Sequence, residues 1–311
     1  EYFCPVKALL QDPMLWFLLA GIAVGQIPWA VKNYASFFKL LEKHGLAWTI
    51  ALLGLRIGPD QLLHPYLAVV VGVFVAFWVL SRRLAPWFGL KAEAGCLVSF
   101  GTTICGATAV ATAAPLLQKK SNLSGGEVGA AVATVNFLGA LGIVLVPLLA
   151  NLLNFSPAQG GILAGGTLHA VGQALAAGFA LGDDAGEWAT LVKMSRVALL
   201  IPLLLYLNLL VQKKSLNESA APVREAAKNL WFIGAFVVLS VAQLWISWPE
   251  GVVKIGGALE KWAFWVALFG MGTSIRLSDL WKNGLSIVGF GAVLFALNLS
   301  IWIAVLLLLP V

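Results

Sequence analysis

His169 has more chemistry to offer than any other residue in this chain. It lies deep inside an apolar run, "GGTLHAVGQALAAG" (165–178), and Gln173 stands one turn later on the same helical face. A polar, ionisable residue at such depth marks a functional site by default. Imidazole and amide together present donors and acceptors to a polar guest. With an ordinary pKa of about 6.5, His169 would exchange a proton near neutral pH. The competing reading is an imidazole hydrogen-bonded between helices. Lys193 and Arg196 sit three apart on one face near the start of another apolar run. They either snorkel to the membrane surface or lend positive potential to a nearby anion site.

A second stretch, "SFGTTICGATAVATAAPLL" (99–117), is built from Gly, Ala, Thr, one Cys and a proline. Small residues in an apolar helix permit close packing, as in "GIAVG" (21–25), "GLRIG" (54–58) and "GILAG" (161–165). They also permit a break. Where a helix unwinds near mid-bilayer, the amides that open the next half-helix carry about half a positive charge and attract anions. Around such a break Thr102, Thr103 and Thr108 would add hydroxyl donors, with Cys105 and Gly106 between them. The stretch aligns weakly with 165–178: Gly101 with Gly165, Thr103 with Thr167, Cys105 with His169. Cys105 and His169 are thus the one nucleophile–base pair on offer. No third, orienting group accompanies them, and cysteine often fills space as a small apolar residue, so no enzyme is expected. The sequence shows no Asp or Glu in the middle of any apolar segment. A carboxylate-pair cation antiporter is therefore disfavoured, and the polarity favours a small anion.

The rest of the chain must position these residues in a membrane. Of 311 residues, 60% are hydrophobic and 11% charged, with a mean hydropathy of +0.91; soluble domains carry about 25% charge. The net charge of +6 suits an anionic leaflet, and its scatter between apolar runs argues against nucleic acid. Cys4, Cys96 and Cys105 have neither disulfide nor metal-site spacing; no cofactor or metal is expected. Ten apolar segments follow one another, at 13–31, 44–58, 66–81, 94–117, 128–153, 158–182, 188–211, 229–248, 262–275 and 285–310. A crossing helix needs about 20 residues, and tryptophans near segment ends form an interfacial belt. Segments 94–117 and 158–182 are read as discontinuous, either crossing or re-entering. "LEKHGLAWTIALLGLRIGPDQLL" (41–63) resembles "LEKWAFWVALFGMGTSIRLSDLW" (259–281). The related segments, 41–81 and 259–310, cross in opposite senses, the trace of an inverted repeat.

"ICGATAVATAAPLL" (104–117), "VGAAVATVNFLGALGIVLVPLL" (128–149), "TLHAVGQALAAGFALG" (167–182) and "GEWATLVKMSRVALLIPLLL" (186–205) resemble the YeiH-type sulfate exporter family of bacterial membrane proteins. That resemblance implies kinship with bile-acid-symporter and cation/proton-antiporter-like transporters. It implies inverted repeats, a panel and a core domain, and broken helices meeting at the midplane. The matching positions are Cys105, Gly106, Pro115, His169, Gln173, Lys193 and Arg196. The position after the family's histidine is commonly acidic, and here it is Ala170. The whole therefore reads as an all-α integral membrane protein, one transporter domain over 1–311 in a bacterial inner membrane. Its expected activity is secondary active export of a small inorganic or organic anion such as sulfate, sulfite or an organosulfonate. Thr102, Thr103, Cys105, Gly106, Thr108, His169 and Gln173 would line the site, with Lys193 and Arg196 tuning its potential. H+ or Na+ is the expected coupling ion and a homodimer the expected assembly, though the sequence fixes neither. An anion channel is the alternative.

Overall fold

The computed structural model describes residues 13–62, 64–118, 123–211, 228, 230–274 and 285–309, and these form helices and turns without a strand. Cys4, Arg276, Asp279 and Trp281, which the sequence reading used, lie outside them. The chain opens with α1 (Pro13–Gly25) and α2 (Pro28–Leu53). Pro28 sits at the start of α2, where its missing N–H costs no bond. The sequence predicts a charged connection over 32–43. Instead Lys32, Lys39, Glu42 and Lys43 fall inside the 26 residues of α2. Residues 29–44 hold no Gly or Pro to interrupt the backbone, and Lys and Glu are good helix formers. Charge marked a change of environment there, not a helix end.

After α3 (Pro59–Leu62) come α4 (Tyr66–Leu84), a 3-10 turn (Ala85–Phe88), α5 (Ala92–Thr103) and α6 (Ala107–Gln118). Then follow α7 (Gly125–Leu152), α8 (Pro157–Thr167), α9 (Val171–Phe179), α10 (Asp183–Ala198) and α11 (Leu200–Val211). The last are α12 (Trp231–Ala242), α13 (Glu250–Thr273) and α14 (Leu285–Leu308). Capping boxes start α7 and α8: Ser124 with Glu127, and Ser156 with Gln159. Among the described residues three stretches are long and apolar enough to cross a membrane: Pro59–Phe88, Gly125–Leu152 and Leu285–Leu308. The remaining expected spans are broken, shorter, or carry charge.

The helices pack in two groups. In the first, α13 lies along α2 and α1, and α12 against α2. Glycines allow the contact: a Cβ on Gly45 would lie 2.7 Å from the Ala263 carbonyl oxygen, and one on Gly270 2.7 Å from that of Phe38. The second group assembles α4 through α11 with α14. Here "GILAG" serves packing, since a Cβ on Gly165 would lie 2.6 Å from the Ala189 oxygen of α10. Leu53, Phe264 and Leu268 of the first group meet Leu175, Leu191 and Met194 of the second in one apolar cluster.

At the edge of that seam Arg56, just past α2, meets Asp183 and Glu187 of α10 at 3.2 Å each and Glu260 of α13 at 3.7 Å. Glu260 sits mid-helix and is 2% exposed. Glu260 precedes the apolar segment 262–275, yet it lies neither in a loop nor near a helix end, because α13 begins well before its apolar half. Removing one partner of a buried pair strands the other at about 3–5 kcal/mol. Arg56→Ala is therefore expected to lower the thermal unfolding midpoint of the detergent-solubilised protein markedly. Glu260→Gln, which strands no charge, should lower it less.

Candidate functional site

The two small-residue stretches are broken helices. α5 ends at Thr103 and α6 begins at Ala107; α8 ends at Thr167 and α9 begins at Val171. Between α5 and α6 the turn passes through Gly106, whose φ of +66° lies in the left-handed region that glycine enters without a Cβ penalty. The Gly106 N–H reaches back to the Gly101 carbonyl at 2.9 Å and closes α5. Between α8 and α9 the backbone runs extended through Leu168 (ψ 148°) to Ala170 (ψ 155°). Ala170 has no side chain to cap α9. Gln173 does part of that work: its Oε1 accepts from the Ala170 N–H at 2.8 Å and its Nε2 donates to the Asn136 carbonyl of α7 at 3.2 Å.

The breaks touch. A Cβ on Gly106 would lie 3.3 Å from the His169 carbonyl carbon and 3.4 Å from the Ala170 nitrogen. The starts of α6 and α9 thus abut, and the first-turn amides of a helix have no acceptor within it. The ends of α5 and α8 also converge, which brings carbonyls together. Lys193 and Arg196 of α10 serve those carbonyls. The Lys193 ammonium donates to Ile104 O at 3.0 Å, to Leu168 O at 2.7 Å and to His169 O. The five N–H groups of the Arg196 guanidinium reach Thr102 O, Thr103 O (twice), Gly165 O, Gly166 O and Leu168 O at 2.6–3.0 Å, the two on Nη1 sharing three acceptors. It also lies 4.3 Å from the centroid of the Phe74 ring. Both cations are fully buried, so neither snorkels.

The predicted site residues divide by what occupies them. Thr102, Thr103, Cys105, Gly106, His169 and Gln173 all come to the crossing and are buried. Thr103 donates its hydroxyl to Ser99 O within α5, whereas the Thr102 hydroxyl has no partner among the described residues. Thr108 stands apart, exposed on α6. His169 is wholly buried, packs at 5.5 Å between ring centroids on Phe295 of α14, and neither ring nitrogen has a hydrogen-bond partner among the described residues. Among those residues no hydrogen bond joins it to Cys105. Asn298 donates to Gly166 O and Thr167 O at 3.2 and 3.4 Å, holding the end of α8 as helix glue. The sequence reading did not foresee the Phe74 and Phe295 rings; apolar aromatics in apolar helices carry no distinguishing signal.

A family model described as "Conserved hypothetical protein 698" matches residues 7–291. The chain is 31% identical over 286 residues to a UPF0324 membrane protein of Lactobacillus johnsonii, covering 89% of this chain and 83% of that one. It is 30% identical to the UPF0324 membrane protein TauZ of Paracoccus denitrificans, covering 94% and 85%. The chain belongs to the UPF0324 family. This is the YeiH-type family that its motifs resemble. UPF0324 membership and the apolar helices make it a multi-pass membrane protein. No solved structure matches this UPF0324 chain.

Proposed function

We propose that this protein is a secondary transporter for a small anion such as sulfate, sulfite or an organosulfonate, working by alternating access. One observation carries the reading. The starts of two broken helices abut beside a fully buried imidazole whose two nitrogens have no hydrogen-bond partner among the described residues. Half-helix starts of this kind point at anionic substrate groups in transporters with discontinuous helices. The buried Thr102 hydroxyl, without a partner among the described residues, adds a donor at the end of α5. TauZ, in its name, points to taurine and hence to sulfonates.

Two further features support the mechanism. α2 and α13 run antiparallel with reciprocal pairings: Ser274, just past α13, donates to Glu42 of α2 at 3.3 Å, and Arg56, just past α2, meets Glu260 of α13. That reciprocity is what an inverted repeat predicts. The two packing groups then correspond to a panel (α1, α2, α12, α13) and a core carrying the crossing. Their seam is apolar apart from the Arg56 cluster, which suits one group rocking on the other.

Flux into proteoliposomes tests the function. Sulfate, sulfite and taurine are each supplied outside under an anion gradient. Saturable uptake of at least one, at rates far below channel conduction, is expected. Unsaturable flux at channel rates, or no flux and no thermal stabilisation by any sulfur oxyanion or sulfonate, overturns it.

A further inference from the structure

The end of a broken helix is where transporters of discontinuous architecture hold a coupling cation, on carbonyls freed by the unwound backbone. In this chain that place is filled from within. Three carbonyls from two separate breaks, Ile104, Leu168 and His169, face one point, and the Lys193 ammonium occupies it with all three of its donors. Backbone carbonyls are also the groups that replace water around a dehydrated monovalent cation. Arg196, one turn on, saturates the neighbouring carbonyls of the same ends. Among the described residues neither cation makes an ion pair, so the helix-end carbonyls are their counter-charge.

We propose that Lys193 is a tethered cation standing in a monovalent-cation cage, and that deleting its side chain converts the cage into a binding site for a small free cation, sodium or a primary alkylammonium. The intact protein then takes no sodium at the crossing. This goes beyond the anion-transport reading and is tested without any flux, so either can fail alone.

The test compares thermal unfolding of the purified full chain in sodium, potassium, choline and ethylammonium chlorides at equal ionic strength. The unsubstituted protein is expected to unfold at one temperature in all four. Lys193→Ala should unfold well below it in choline and recover by several degrees, saturably, in ethylammonium or sodium, which choline is too large to imitate. Lys193→Met fills the space without charge and should be destabilised and unresponsive. Three results each overturn the proposal. One is an unsubstituted protein stabilised by sodium over potassium and choline, which needs no variant. Another is a folded Lys193→Ala indifferent to every small cation. The third is Lys193→Met as stable as the unsubstituted chain.

Discussion

Arg196→Leu is expected to yield no folded protein. The guanidinium serves five backbone carbonyls, at Thr102, Thr103, Gly165, Gly166 and Leu168, drawn from the ends of two helices; Leu168 O is shared with Lys193 and Gly166 O with Asn298. Those oxygens are buried, and hydrocarbon around the molecule offers no substitute. Leu168 O keeps Lys193 and Gly166 O keeps Asn298, so three carbonyls are stranded; at about 1–3 kcal/mol each the loss is about 3–9 kcal/mol. The upper part of that range overlaps the stability of a whole domain, about 5–15 kcal/mol. Arg196→Lys should fail too, less completely, because an ammonium has three donors and no planar fork to span both ends. Arg83, exposed near the end of α4, is the control, and its alanine variant should change little. Yield of monodisperse protein and its unfolding midpoint read the series. An Arg196→Leu variant that purifies and melts like the parent would show that the carbonyls find partners elsewhere, and the account of the crossing would fall with it.

Why two positive charges sit in the middle of an apolar protein follows from the same geometry. Converging helix ends sum their negative poles, and the cost of burying a cation falls when charge-assisted bonds surround it. The three-residue spacing of Lys193 and Arg196, visible in the sequence, puts both on one face of α10. Their destination was not visible. It depends on backbone groups 24 to 94 residues away, brought together only because both helices break at the same height. The breaks themselves were legible: Gly-Thr clusters at 101–106 and 165–169 set small and hydroxylated residues amid apolar helices. Helix limits were less so. Apolar windows put a boundary at 262, but Glu250, Lys254, Glu260 and Lys261 continue α13 without a breaker. Composition thus hid a buried carboxylate. Gln173 was legible as a polar partner of His169, yet its Oε1 instead accepts from the Ala170 N–H, the N3 half of a capping box at the start of α9. Thr108 was drawn into the site by its neighbours in sequence, and only the orientation of α6 places it outside.

His169→Leu is expected to separate stability from function. An imidazole with both nitrogens buried and unpartnered carries a desolvation cost of about 1–3 kcal/mol, and leucine of similar volume removes it while keeping contact with Phe295. The variant should therefore unfold at or above the parental temperature. If the imidazole exists to greet an anion between the starts of α6 and α9, the same variant should lose at least tenfold in uptake, about 1.4 kcal/mol of binding or barrier. His169→Gln, which restores a donor and an acceptor on a different skeleton, should fall between. The combination is informative because strained polar groups retained against stability cluster at working sites. A leucine variant that is stable and transports as before leaves the imidazole without a role. A leucine variant that is grossly unstable means the ring nitrogens are partnered in the membrane, and the vacant donor set on which the anion reading stands would not exist.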